Sequence, residues 1–192
     1  PGKMRGKGWS ISARHCKAGS KLRQIDGSVC NSCYACKGHY SFEVVQHAQE
    51  RRQTRFKRTG KAWIDLMVKA LERETWFRWL DSGDLQSDRM LERIIRVCEL
   101  TPHVRHWLPT REYRTVTRIL NKVTCPPNLM IRLSAHMIDG PGPEKLARKY
   151  GLGTSTVVTQ AWTCPASSQK NQCLECRQCW DPGVLNISYP RH

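Results

Sequence analysis

Cysteine spacing is the feature of this 192-residue chain that most constrains what it can fold into. Eight of the ten cysteines fall into two groups, one near each end, and each group contains a C-x2-C-x2-C run. The two sets, named here the N-terminal and the C-terminal cysteine group, are Cys16, Cys30, Cys33 and Cys36, and Cys164, Cys173, Cys176 and Cys179. Thiols two residues apart suit one metal centre better than separate long-range disulfides, so we expect a metal site at each end.

The spacing leaves the metal open in both groups. In the N-terminal cysteine group it favours an iron–sulfur cluster, because closely spaced thiolates reach different irons of one cluster. Zinc more often uses two separate C-x2-C pairs. The C-terminal cysteine group is a complete four-thiolate set that binds either zinc or a second cluster and fastens the carboxyl end to the domain. Cys98 and Cys125 lie outside both groups, and we expect them to be buried thiols without a metal.

The charge of the chain predicts a polyanionic partner. Thirty-two Lys and Arg residues against sixteen Asp and Glu residues give a formal net charge of +16. Nucleic acid, DNA or RNA, is the natural partner of such a chain. The positions expected to contact it lie at the basic end of a helix predicted over residues 42–58: Arg51, Arg52, Arg55, Lys57 and Arg58. No apolar run approaches the roughly 20 residues that a bilayer requires, and the start has no signal-peptide core, so we expect a soluble, cytoplasmic protein.

Hydrophobic periodicity predicts alternating strands and helices. Strands are predicted over residues 9–13, 75–80, 104–108, 129–133, 155–159 and 184–189, and further helices over 62–71, 87–100, 111–123 and 144–150. This alternation implies a parallel sheet with about 4–6 strand–helix units, too few for a closed eight-unit barrel. We therefore expect an α/β fold, a half-barrel or open parallel sheet, in a single domain. Its parts are a strand and cluster loop (1–40), a strand–helix core (41–160) and a Cys-rich metal-binding tail (161–192).

In parallel sheets the ligand-binding groups collect at the carboxyl ends of the strands. That edge gathers the loop of the N-terminal cysteine group with residues 81–84, 109–111 and 134–136. Asp81 and Asp84 are the candidate catalytic carboxylates, and a plain turn before the next helix is the alternative interpretation. Arg132 is a candidate contact for a phosphate or carboxylate. His103 and His106 are predicted at the surface.

Four segments of the chain together resemble a family of small bacteriophage proteins, the gene-product-eighty-eight-like family. They are C-N-S-C-Y-A at 30–35, W-L-D-S-G-D at 79–84, W-L-P-T-R at 107–111 and I-R-L-S at 131–134. That family resembles a minimal radical S-adenosylmethionine enzyme, a partial barrel with a cluster loop after its first strand. The resemblance implies a phage protein, active in the cytoplasm of an infected bacterium, that modifies bases of nucleic acid.

The resemblance also implies ligand roles. Cys16, Cys30 and Cys33, or else Cys30, Cys33 and Cys36, hold a 4Fe-4S cluster whose open iron binds the amino-acid part of S-adenosylmethionine. The usual spacing of that superfamily, C-x3-C-x2-C, does not occur here. The resemblance assigns Ser82, Gly83 and Asp84 to the amino group of the cofactor. Arg111 and Ser134, at the carboxyl ends of neighbouring strands, are further candidates for binding the cofactor.

Two other functions remain open. The segment D-S-G-D-L-Q at 81–86 resembles the D-S-G-G-F-Q segment of tRNA-guanine transglycosylases, in which the Asp lies at the base-binding site. Those enzymes carry a zinc site near the carboxyl end, a part that Cys173, Cys176 and Cys179 could play with Cys164 or His192. The third class is a non-enzymatic DNA- or RNA-binding protein with two structural metal sites.

Overall fold

The protein folds around one sheet of six parallel strands. The computed structural model describes residues 3, 4 and 6–191, so His192 lies outside the described residues. The strands are β1 (Lys7–Trp9), β2 (Trp76–Trp79), β3 (Arg105–Thr110), β4 (Leu129–Ile138), β5 (Gly153–Val158) and β6 (Asn186–Pro190). Each strand pairs in parallel with the next one along the chain, and β1 and β6 are the edges of an open sheet. The expectation of an open parallel α/β sheet is confirmed.

In the part of the chain that the structure describes, six α-helices lie between the strands. They are α1 (Lys17–Leu22), α2 (Glu43–Thr59), α3 (Lys61–Leu71), α4 (Asp88–Leu100), α5 (Tyr113–Leu120) and α6 (Glu144–Lys149). The five predicted helices correspond to α2 to α6. Helix α4 begins where Ser87 accepts a hydrogen bond from the backbone N–H of Met90, which satisfies one of the free donors of its first turn. Among the described residues, no helix is both long enough and apolar enough to cross a membrane.

The predicted first strand and the loop after it differ from the structure. Strand β1 ends at Trp9, whereas the prediction placed a strand over 9–13. Beyond Trp9 the chain leaves β2: the N–H of Ile11 donates to the carbonyl of Ser82, and residues 13–15 form a 3-10 turn. Helix α1 was not predicted, because its six residues lie in a polar segment without apolar periodicity.

The two faces of the sheet have different covers. Alternate side chains of a strand point to opposite faces, so Phe77 and Trp79 of β2 enter a hydrophobic core with α2 to α6, while Arg78 faces the other way. His106 of β3 is also on the helical face, fully buried and stacked on Trp79 at 5.9 Å between ring centroids. The predicted surface position of His106 is therefore wrong, and burial lowers its pKa to about 4.

The cysteine-rich segments cover the opposite face. Trp180, which follows Cys179 directly, packs edge-on against Trp76 and Trp107 at 5.5 and 5.3 Å between ring centroids. Its indole N–H donates to the carbonyl of Phe77. The helices therefore stabilise one face of the sheet, and the other face is left for the functional groups.

Candidate functional site

One cavity of about 730 Å³ lies at the carboxyl ends of the strands, between the two cysteine groups. This volume lies within the range typical of small-molecule sites. We call it the cysteine cavity, because seven of the eight grouped cysteines line it: Cys16, Cys30, Cys33, Cys164, Cys173, Cys176 and Cys179. The two cysteine groups are more than a hundred residues apart in the sequence, and the parallel sheet brings them to the same cavity.

In the N-terminal cysteine group, three thiols line the cavity and the fourth, Cys36, does not. Cys30 is buried, Cys16 and Cys33 are half-buried, and Cys36 is exposed and accepts a hydrogen bond from Arg23 at 3.3 Å. Burial is the main cause that raises the pKa of Cys16, Cys30 and Cys33. Metal binding at these thiols would therefore release protons.

Gly19 of α1 leaves room beside two of these sulfurs. A Cβ atom at this position would lie 3.7 Å from Sγ of Cys16, 3.8 Å from Sγ of Cys30 and only 2.9 Å from Cβ of Cys16. A side chain here would crowd both thiols. The missed helix α1 therefore shapes the approach to the N-terminal cysteine group.

The loop after β2 fixes Asp84 by hydrogen bonds to β3. One carboxylate oxygen accepts from the N–H of Leu85 at 2.7 Å and from Oγ1 of Thr110 at 2.6 Å, and the other accepts from the N–H of Arg111 at 2.9 Å. Burial raises the pKa of Asp84, and these three donors act in the opposite direction. Asp84 lines the cavity, but its acceptors are occupied by the protein itself.

Gly83 and Ser82 place the same loop against β1. Gly83 has φ +80°, and a Cβ there would lie 2.8 Å from the carbonyl oxygen of Ile11, so this position requires glycine. Ser82 is buried, and within the described residues its hydroxyl has no hydrogen-bond partner. A buried hydroxyl without a partner inside a cavity is available to a ligand.

Asp81 is the more accessible of the two candidate carboxylates. It accepts a hydrogen bond from the hydroxyl of Tyr40 at 3.1 Å, and its backbone carbonyl accepts from the hydroxyl of Tyr34 at 2.6 Å. The two tyrosines pack edge-on at 5.8 Å between ring centroids. This corner of the cavity combines a carboxylate with two aromatic rings from the N-terminal cysteine loop.

Arg111 and Ser134 also line the cavity. Nε of Arg111 donates to the carbonyl of Ala135 at 3.1 Å, which directs the guanidinium along β4. The hydroxyl of Ser134 lies 2.9 Å from that of Ser155 on β5. The structure thus brings all five predicted cofactor-binding residues to one cavity.

The C-terminal cysteine group is attached to the sheet by its backbone. The N–H of Cys164 donates to the carbonyl of Ser188 on β6, and that of Cys173 donates to the carbonyl of Lys3. Sγ of Cys179 lies 3.3 Å from the hydroxyl of Tyr189, and burial raises the pKa of this thiol to about 11. These contacts fix the group against the edge of the sheet.

Arg132 has a role that the sequence did not reveal. It is fully buried, and its guanidinium donates to the carbonyls of Gln178, Cys179, Asp181 and Val184 at 2.7 to 3.0 Å, with a longer bond to Thr154 at 3.4 Å. The predicted contact of Arg132 with a ligand is wrong, because these carbonyls saturate its donors. Arg132 holds the loop that carries Cys179.

The grouped thiols fit more than one kind of metal. Within the described residues, no three His, Cys, Asp or Glu side chains converge closely enough to share one metal ion. Zinc and iron–sulfur clusters both take thiolate ligands, so the donor set itself suits either.

The predicted nucleic-acid contacts form an exposed face of α2. Arg51, Arg52, Arg55, Lys57 and Arg58 are all exposed, while Gln49, Gln53 and Phe56 face inward. Lys57 also borders a second cavity, which we call the basic cleft. Its charged lining comprises Lys17, Lys57, Arg89, Arg93, Arg118 and Asp88. Lys17 follows Cys16 directly, so the basic cleft begins beside the N-terminal cysteine group.

Comparison with known proteins identifies a family. Searches of the curated proteins and of the solved structures found no significant match. A family model described as Gene product 88 matches residues 7–182, which include all six helices, the first five strands and both cysteine groups. The chain therefore belongs to the Gene product 88 family, a phage gene-product family.

Proposed function

We propose that this protein is an iron–sulfur enzyme that modifies a nucleic-acid base with the help of S-adenosylmethionine. The observation that carries the proposal is the position of Cys16, Cys30 and Cys33 on a cavity at the carboxyl ends of parallel strands. The same cavity contains the loop 81–84 and Arg111. A cavity of this volume accommodates a nucleoside-sized ligand next to a cluster.

The geometry favours one of the two cysteine triplets. Cys16, Cys30 and Cys33 line the cavity, whereas Cys36 is exposed and bonded to Arg23. We assign the cluster to the first three thiolates. A cluster bound by these three thiolates would supply one electron to a ligand in the cavity once it had been reduced.

The side chains around that position have separate roles. Ser82 offers a free hydroxyl to the ligand. Asp84 is a positioning residue, because its three hydrogen bonds join the loop after β2 to the end of β3 at Thr110 and Arg111. Asp81, between Tyr34 and Tyr40, is the carboxylate available for proton transfer.

The basic cleft and the exposed face of α2 support nucleic acid as the substrate. Five cations and one carboxylate line the charged part of the cleft, and the cations include Lys57 and Lys17, the residue that follows Cys16. Clustered Lys and Arg side chains bind phosphates and make the affinity salt-dependent. Reversing Arg51 and Arg55 to Glu should weaken binding of fluorescent DNA or RNA oligonucleotides at least tenfold and reduce the salt slope. Lys145→Glu with Lys149→Glu on α6 is the matched control.

The proposed reaction is tested by cleavage of S-adenosylmethionine. Iron-loaded protein is incubated anaerobically with S-adenosylmethionine, dithionite and phage or host nucleic acid, and released adenosyl products and altered nucleosides are measured by mass spectrometry. Wild type should cleave the cofactor, and Cys30→Ala with Cys33→Ala should not. Cys125→Ala, which removes a thiol outside both groups, should retain cleavage. Iron-loaded wild type that cleaves nothing contradicts the proposal.

A second function follows from Asp81 and its two tyrosines. In a base-exchange enzyme of the transglycosylase kind, a carboxylate could act as the nucleophile and the neighbouring aromatic rings could stack on the base. In that case Asp81→Ala abolishes incorporation of labelled guanine into tRNA, and Cys30→Ala with Cys33→Ala leaves it intact. Salt-dependent binding with neither reaction identifies the third class, a nucleic-acid-binding protein with structural metal sites.

A further inference from the structure

Arg78 lies inside the cysteine cavity between the two cysteine groups. It projects from β2 on the face opposite to the helices, and its guanidinium carbon lies 4.5 Å from the centroid of the Trp107 ring. It interacts electrostatically with Asp81 near the N-terminal group and with Tyr189 and Cys179 in the C-terminal group. The Trp107 ring holds the plane of the guanidinium in place.

The guanidinium of Arg78 has donors without acceptors. Its Nε is buried without a partner, and within residues 3, 4 and 6–191 it forms no hydrogen bond and no ion pair. Arginine carries five N–H donors, and a buried donor without an acceptor is unfavourable. Arg132, on the same face of the sheet, donates to five backbone carbonyls. The two arginines therefore have opposite roles: Arg132 is saturated by the fold, and Arg78 is not.

The other arginines that line this cavity differ from Arg78 in their hydrogen bonds or their exposure. Arg191 is exposed. Arg23 donates to the carbonyl of Ala13 and to Sγ of Cys36, although its Nε is buried without a partner. Arg111 donates to Ala135. Arg78 is therefore the cation best placed to meet a charged group of a molecule inside the cavity.

We propose that Arg78 binds an oxyanion of the ligand that enters the cysteine cavity. The planar fork of a guanidinium matches phosphate and carboxylate groups with two parallel hydrogen bonds. The basic cleft favours the phosphate of a nucleotide, and this choice of source rests on the proposed function. The carboxylate of S-adenosylmethionine is the other source of the same chemistry.

The test compares ligands that differ in one anionic group. Affinities of metal-loaded wild type are measured by calorimetry for guanosine 5′-monophosphate and guanosine, and for S-adenosylmethionine and decarboxylated S-adenosylmethionine. The phosphate should strengthen binding about ten- to a hundredfold in wild type, the advantage of a charge-assisted pair. Arg78→Gln should abolish this advantage and leave guanosine binding unchanged. Arg78→Lys, which keeps the charge without the fork, should retain part of it.

Controls separate this role from folding and from the metal. Arg105→Gln removes an exposed arginine at the amino end of neighbouring β3 and should behave as wild type. If Arg78→Gln loses the affinity advantage of the anionic ligand only in the S-adenosylmethionine pair, the oxyanion site is supported and its ligand is the carboxylate of the cofactor. An unchanged advantage in Arg78→Gln overturns the inference, as does wild type without a preference for either anionic ligand. The inference is also overturned if Arg78→Gln changes the reduction potential of the bound metal centre but leaves the affinities for all four ligands unchanged. Iron and sulfide analysis tests the proposed function independently, because it measures the bound metal and not the affinity for an anionic ligand.

Discussion

The two cysteine groups share a similar sequence pattern and a cavity, but the fold supports them differently. The C-terminal group is held by Arg132, by Trp180 between two tryptophans, and by backbone bonds to the sheet edge. The N-terminal group is held by short turns, and its Cys36 is exposed. On the proposed function, the C-terminal group would hold a structural metal and the N-terminal group would hold the cluster that takes part in the reaction.

The largest contrast should come from removing two thiols in each group. Cys176→Ala with Cys179→Ala should lower Tm by more than about 10 °C, because a structural metal contributes several kcal/mol to folding. Cys30→Ala with Cys33→Ala should abolish cofactor cleavage with a clearly smaller change in Tm. Thermal unfolding under argon measures both. Equal losses of Tm in the two variants would contradict the division of roles.

Replacing Arg132 tests the support of the C-terminal group without touching a thiol. Arg132→Met leaves several buried carbonyls without donors and should cost about 3–5 kcal/mol of unfolding free energy. Arg23→Met, which removes a contact to Cys36, should cost about 1 kcal/mol. Denaturant titration gives both values. If Arg132→Met costs no more than Arg23→Met, the loop does not depend on Arg132.

Replacing His106, which is buried on the helical face of the sheet, should change the stability of the protein without affecting either cysteine group. Burial lowers its pKa to about 4, so the unfolded chain binds a proton more readily than the folded one. Neutral His106 therefore contributes up to about 3 kcal/mol to the free energy of unfolding. This contribution is fully present above about pH 6.5 and is lost as the pH falls towards 4. His106→Gln should flatten this part of the pH dependence, and His47→Gln, at an exposed position of α2, should not. Urea titrations between pH 4 and 7 measure the difference.

The smallest expected difference in unfolding free energy is between replacements of the two carboxylates beside the N-terminal group. Asp84→Asn should cost about 2 kcal/mol, since an amide cannot accept from three donors as the carboxylate does. Asp81→Asn loses one hydrogen bond from Tyr40 and should cost less than about 1 kcal/mol. Denaturant midpoints give the order. The reverse order would show that Asp81, and not Asp84, fixes the loop after β2.

The sequence predicted the sheet better than it predicted the site. Strand–helix alternation and apolar periodicity identified β2 to β6 and α2 to α6, because those elements bury regular stripes. It missed α1, whose six residues have no such stripe. It also placed Arg132 at a ligand and His106 at the surface, because strand residues on opposite faces cannot be told apart without knowing what covers each face. The partner of Arg132 is a loop about fifty residues later, a distance that no local pattern encodes.

The most direct test of the account is metal and sulfide analysis of anaerobically purified wild type and the two double-cysteine variants. The account predicts about four irons and four sulfides per chain that are lost in Cys30→Ala with Cys33→Ala, with the C-terminal metal retained. In Cys176→Ala with Cys179→Ala the C-terminal metal is lost instead. Wild type that contains two zinc ions and no sulfide would contradict an iron–sulfur centre in the N-terminal group.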